Sequence, residues 1–202
     1  MNLFAPAEIA ANYAEAGVKK SSLPVSKMLL LGVLAGMLIA FPSCVTNMVS
    51  YGLDNNSTIR AISGLMFAFG LGMVILIGAE LFTGNSLMVA ALASKKISVS
   101  AMLKNWAIVW VGNLVGALVT VFLVYMAHVA DMNGGAVGAT MVSVAVSKVT
   151  PDWITLFFKG ILCNIFVCLA VWIGFGARTV VDKVVGILLP ISAFVACGFE
   201  HC

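Results

Sequence analysis

Gly78-Ala79-Glu80-Leu81-Phe82-Thr83-Gly84-Asn85 interrupts an apolar run that covers roughly residues 61–93. That run is too long for one simple membrane crossing at about 1.5 Å per residue and a hydrocarbon core of about 30 Å. A break at 78–85 divides it into a longer helix and a short re-entrant piece. The same Gly-x-Glu word returns as Gly198-Phe199-Glu200-His201 at the end of a later apolar run. A carboxylate deep in an apolar segment is costly in lipid, so it faces protein interior or water. Non-helical backbone at membrane depth is tolerated only in the same surroundings. Two such breaks suggest a membrane pore with a polar centre.

Working outward, the 202 residues are 62% hydrophobic and only 9% charged. Soluble domains are about 25% charged, so the chain falls in the all-α integral membrane class. Five apolar segments cover roughly 28–51, 61–93, 105–127, 154–175 and 184–199. Residues 1–24 form an amphipathic start, with Pro6, Glu8 and Ile9 opening a short helix that Gly17 is expected to end. It would lie at the membrane surface or against neighbouring subunits. Charges within the first 28 residues argue against a cleaved secretory signal. Eight of the 11 basic residues (Lys19, Lys20, Lys27, Lys95, Lys96, Lys104, Arg178 and Lys183) fall on the side of the N-terminus. Arg60, Lys148 and Lys159 fall on the other. That asymmetry favours a cytoplasmic N-terminus.

Several function classes find no support. The net charge of +3 comes without a basic, aromatic-interleaved stripe, so no nucleic-acid partner is expected. The five cysteines, including Cys202, form no CxxC pair, and neither a disulfide framework nor a zinc site is expected. No cofactor or nucleotide motif is present. A membrane enzyme using Glu80, Glu200 and His201 as acid–base groups would lack a nucleophile pair or metal-ligand spacing.

The polar residues at the breaks each carry two readings. Glu80 and Glu200 either brace a broken helix or form a proton or ion site; their repetition points to an internal repeat of inverted halves. His201 combines an apolar setting with an imidazole that titrates near physiological pH. Thr83 can meet a solute or cap the short helix expected to begin near Gly84. Lys148 would draw anions to a pore mouth. Lys159 can snorkel to the interface, and Asn164 can bind helices together or polarise a solute. His128 reads as interfacial. Phe67, Leu71, Leu81, Phe82, Val167 and Phe194 are core residues or dewetted constrictions. Gly32/Gly36 and Gly112/Gly116 make two GxxxG words that permit close helix approach.

With these residues in view, the chain resembles the formate/nitrite transporter family of pentameric anion channels. Ile75-Leu76-Ile77-Gly78-Ala79-Glu80-Leu81-Phe82-Thr83-Gly84 is similar to one family signature. Gly160-Ile161-Leu162-Cys163-Asn164-Ile165-Phe166-Val167-Cys168-Leu169-Ala170 is similar to a second, and Phe199-Glu200-His201 to its central histidine motif. The resemblance covers essentially the whole chain. It implies an aquaporin-like six-helix protomer with broken second and fifth helices, five protomers each holding a pore. It also implies that Thr83 faces His201, that Glu200 supports the histidine, and that Lys148 and Asn164 form a polar pair. Leu71, Leu81, Phe82, Val167 and Phe194 would form the constrictions, with Phe67 nearby. Family substrates include formate, nitrite and hydrosulfide, and the sequence is most similar to the hydrosulfide branch of anaerobic bacteria. A single channel domain over 1–202, in a bacterial cell membrane, is therefore expected. The fifth segment supplies only about 24 Å at helical rise, so a sixth helix is expected beyond Cys202. An aquaporin-like neutral-solute channel is the chief alternative, although its Asn-Pro-Ala words are missing. A structural membrane subunit is another.

Overall fold

The computed structural model describes residues 3–201; Met1, Asn2 and Cys202 lie outside it. Among the described residues, five helices are long and apolar enough to span a bilayer: α2 (Val25–Ser50), α3 (Asn56–Ile77), α6 (Val99–Met126), α8 (Trp153–Gly176) and α9 (Val180–Cys197). They pack as a row, with α6 on α2, α2 on α3, α3 on α9 and α9 on α8. At most 33% of any span is buried within the chain. Leu118, Val121, Phe122 and Leu189 stand on the remaining outward faces, where lipid or another chain can cover them.

Local chemistry sets the helix starts. Asn55, Ser98, Asp152 and Thr179 each accept a backbone N–H bond three residues on, satisfying donors that a helix start leaves open. All spans but α8 begin several residues earlier than hydropathy suggests, because their first turns are helical although they are not wholly apolar. The pattern of apolar runs also leaves out α7 (Ala136–Val149), whose serines and Lys148 dilute the signal.

The two broken runs end alike. Gly78 (φ 77°) and Gly198 (φ 73°) are left-handed, a region that glycine enters without a Cβ penalty. Ala79 then donates to the Val74 carbonyl at 3.0 Å, and Phe199 to the Phe194 carbonyl at 3.1 Å. Both are the six-residue closure of a glycine-ended helix. After the first break come α4 (Phe82–Asn85), a 3-10 turn and α5 (Val89–Ala93).

The amphipathic start differs from expectation. Helix α1 (Pro6–Ser21) runs through Gly17. A Cβ there would lie 2.7 Å from the Ala91 Cβ, so this glycine serves close packing and does not end the helix. Ile9, Tyr13, Ala14 and Gly17 are buried, and α1 packs on α5 and α8 of its own chain. Tyr13 meets Phe175 edge-on, with ring centroids 4.6 Å apart.

The two GxxxG words pack against each other. A Cβ at Gly36 would collide with the Asn113 carbonyl, and one at Gly116 with the Val33 carbonyl. Backbone atoms cannot yield as a flexible side chain can, so Gly116→Leu should lower stability by at least about 1–3 kcal/mol. Thermal unfolding of the detergent-solubilised protein checks this; a melting point equal to wild type would be incompatible with the contact.

At the start of α8, the Asp152 carboxylate accepts the Thr155 hydroxyl at 2.6 Å and the Thr155 amide at 3.0 Å. The hydroxyl bond is the main reason its pKa lies below the usual carboxylate value. A depressed carboxyl pKa adds stability above the unfolded value, about 3.9. That increment disappears as pH falls through the folded value. The stability gap between wild type and Asp152→Ala should therefore be larger at pH 7 than at pH 3. A gap independent of pH would contradict this.

Candidate functional site

The first break is a polar knot. Glu80 is buried, and its Oε1 accepts from Lys20 Nζ at 2.7 Å. Its Oε2 accepts from Asn85 Nδ2, also at 2.7 Å. Asn85 also donates to Asn105 Oδ1 at 2.8 Å, and Asn105 donates to the Lys20 carbonyl at 3.2 Å. Trp106 donates its indole N–H to the Asn85 carbonyl at 2.9 Å. Helices α1, α4 and α6 are thus joined around one carboxylate. A buried carboxylate is tolerated when paired and hydrogen-bonded in this way.

The backbone freed by the break has its own partners. The Glu80 amide donates to the Leu31 carbonyl at 3.2 Å. Asn113 of α6 does most of the rest. Its Oδ1 accepts the Phe82 amide at 2.9 Å, and its Nδ2 donates to the Glu80 carbonyl at 2.9 Å and to the Gly32 carbonyl at 2.8 Å. Tyr13 donates its hydroxyl to the Gly84 carbonyl at 2.7 Å. Burial holds the Tyr13 phenol well above its ordinary pKa, with Cys168 and Glu80 adding to the effect. It therefore stays a neutral donor at physiological pH.

The second break is held differently. Glu200 Oε2 accepts from Lys148 Nζ at 2.7 Å, and Lys159 Nζ stands 3.8 Å from Oε1. Arg60 donates to the Ala196 carbonyl at 3.1 Å, closing the end of α9. Each glutamate of the repeated word thus faces a lysine from a distant part of the chain. Lys148 is engaged by Glu200, and Lys159 turns toward the same carboxylate.

The two breaks meet through their neighbours. Thr83 Oγ1 lies 3.1 Å from His201 Nε2. Thr83 is almost wholly buried, at 1% exposure. It caps nothing: α4 begins at Phe82, and no side chain caps that start. The His201 ring stacks on Phe194 at 6.2 Å, and Phe194 meets Phe67 edge-on at 6.0 Å. Leu71, Leu81, Val167 and Phe194 belong to one buried cluster, with Phe67 packed against it. Phe82 stands apart from that cluster, edge-on to Trp106 at 6.1 Å.

Other expected residues fall elsewhere. Asn164 donates to Ser86 Oγ at 3.0 Å, tying α8 to the turn after the first break. It is not bonded to Lys148, and its Oδ1 is buried without a partner. His128 lies on the surface beside Asp131, at 2.8 Å. Sequence reasoning missed Tyr13, Lys20, Asn85, Asn105 and Asn113. Three asparagines inside or beside apolar helices were the available signal, since a buried amide needs partners.

Two cavities flank this region. One of about 450 Å³ is lined by Tyr13, Lys20, Leu71, Leu81, Gly84 and Lys183, among others. The other, about 830 Å³, is lined by residues including Leu81, Phe82, Trp110, Asn113 and His201. Among the described residues, Leu81 alone lines both.

The family model described as formate/nitrite transporter matches residues 7–202. The formate channel FocA of Haemophilus influenzae is 38% identical over 143 residues, 71% of this chain and 50% of that protein. This chain thus spans half the length of that relative. FocA of Escherichia coli K12 is 37% identical over 202 residues, 99% of this chain and 71% of that protein. A solved structure titled a pentameric formate channel with formate bound superposes with a TM-score of 0.83 at 36% identity. The match covers 88% of this chain and 71% of that one. A helical chain with five membrane-span candidates, matched over nearly its whole length, belongs to the formate/nitrite transporter family.

Proposed function

We propose that the protein is a membrane channel for a small monovalent anion, the conjugate base of a weak acid. The carrying observation is the Thr83–His201 contact of 3.1 Å, at the meeting of two helix breaks beside a buried apolar cluster. Formate is the first candidate, since the named relatives are formate channels. Nitrite is a further candidate, and so is hydrosulfide, toward which the resemblance alone points. The resemblance and the titled pentameric neighbour support a homopentamer of aquaporin-like protomers with inverted halves. A single channel domain, a bacterial cell membrane and a cytoplasmic N-terminus complete the proposal.

The mechanism follows from charge and solvation. A bare anion pays heavily to enter an apolar constriction, whereas its neutral acid pays far less. Leu71, Leu81, Val167, Phe194 and Phe67 supply the apolar surroundings, with Phe82 at the neighbouring cavity. His201 donates a proton or a hydrogen bond to the solute, and Thr83 supplies a second hydrogen bond. Glu80 and Glu200 act as braces, because their oxygens are already engaged. Lys148 then orients Glu200 beside the histidine and does not stand as a free attracting charge. Asn164 acts as helix glue through Ser86.

Flux through proteoliposomes tests the proposal. Formate, nitrite and hydrosulfide should pass; water permeation without anion flux would favour a neutral-solute channel instead. His201→Asn should change the pH dependence of flux between pH 5 and 8, the range where imidazole titrates. An unchanged profile would remove the proton-donor role. Thr83→Val should slow flux by about fivefold, the equivalent of one net hydrogen bond of about 1 kcal/mol. Glu80→Gln should cost about 2 kcal/mol of stability yet leave the pH profile in place. A shifted profile in that variant would make Glu80 a proton site rather than a brace.

A further inference from the structure

The smaller cavity holds a charge that the mechanism above does not use. Its walls are largely apolar, formed by Leu71, Leu81, Val74 and Phe175, and its polar lining includes Asn12, Lys20 and Lys183. No described Asp or Glu lines it. Lys20 is neutralised by Glu80 at 2.7 Å. Lys183 is half-buried in the first turn of α9 and forms no ion pair among the described residues. Its neighbour Asp182 is exposed and does not line the cavity. Arg178, also outside the lining, sits over the Phe4 ring at 4.4 Å. Lys183 is therefore the cavity's uncompensated cation.

We propose that Lys183 is the anion-collecting residue of this vestibule and sets how readily an anion reaches the Leu71–Leu81 wall from that side. The proposal rests on the anion-channel function. A cation framed by low-dielectric walls raises the local concentration of anions. The effect is screened over about 8 Å at physiological ionic strength, so it is largest in dilute salt. The charge lies off the Thr83–His201 contact, so it acts on arrival and not on passage past that contact.

The test uses the protein in planar bilayers, with formate added to one face at a time. Wild type, Lys183→Gln, Lys183→Arg and the exposed control Lys27→Gln are compared at low and high ionic strength. In low salt, Lys183→Gln should raise the half-saturating formate concentration about threefold from one face only, less than the tenfold or more that a cleft lined by many like charges gives. Maximal current should be unchanged, high salt should erase the difference, and Lys183→Arg and Lys27→Gln should match wild type. Half-saturation equal to wild type would overturn the proposal. So would a loss of maximal current that persists at high salt, because that marks a packing role. If wild type carries no anion at all, the channel function itself fails and this inference falls with it. If wild type conducts but Lys183→Gln behaves identically, only this inference fails.

Discussion

Everything at the centre of this protein depends on satisfying the backbone that the first break sets free. In a bilayer no water is at hand to take an orphaned amide, and each unsatisfied group costs several kcal/mol. Asn113 answers that constraint with one side chain, reaching the Phe82 amide and the Glu80 and Gly32 carbonyls. It can do so because α2 and α6 approach as closely as their paired glycines allow. Close packing of two spans and the existence of a break in a third are thus one structural fact.

The charged layer builds on that foundation. Glu80 gathers α1, α4 and α6 through Lys20, Asn85 and Asn105. Glu200 gathers the ends of α7 and α9 through Lys148. The two glutamates share a sequence word and a left-handed glycine, yet their burial differs. The Glu80 side chain is 5% exposed and that of Glu200 17%. The first pair accordingly needs more hydrogen bonds to offset desolvation, and it has them. Two similar words have been fitted to different surroundings.

Much of this was legible in the sequence because membrane physics punishes exceptions. A glycine followed by a carboxylate in an apolar run has few tolerable explanations, so both breaks stood out, and Thr83 and His201 with them. The five spans were legible from length and hydropathy. What stayed hidden depended on partners far away in the chain. Lys20 looks like a surface charge until α1 folds back onto the break. Gly17 looks like a helix stop until Ala91 is packed against it. Lys148 looks like a free cation until Glu200 is placed beside it. Asn113 looks like one more polar residue in a span, because local sequence does not say which carbonyls it will meet. Lys183 reads only as one of the basic residues that orient the chain, since a lysine near a helix start is common and only the cavity distinguishes it.

The two cavities share one lining residue among those described. Leu81 lines both, and the backbone on either side of it is tied, Glu80 to Leu31 and Asn113, Phe82 to Asn113. Its main chain therefore has little room to swing. Widening at that point must come from rotation of the leucine itself or from separation of whole helices. Leu81 is buried, so its rotation waits on the packing around it, and collective helix motion takes microseconds to milliseconds. The pace of the wall is therefore set by the frame that holds it and not by the leucine tip.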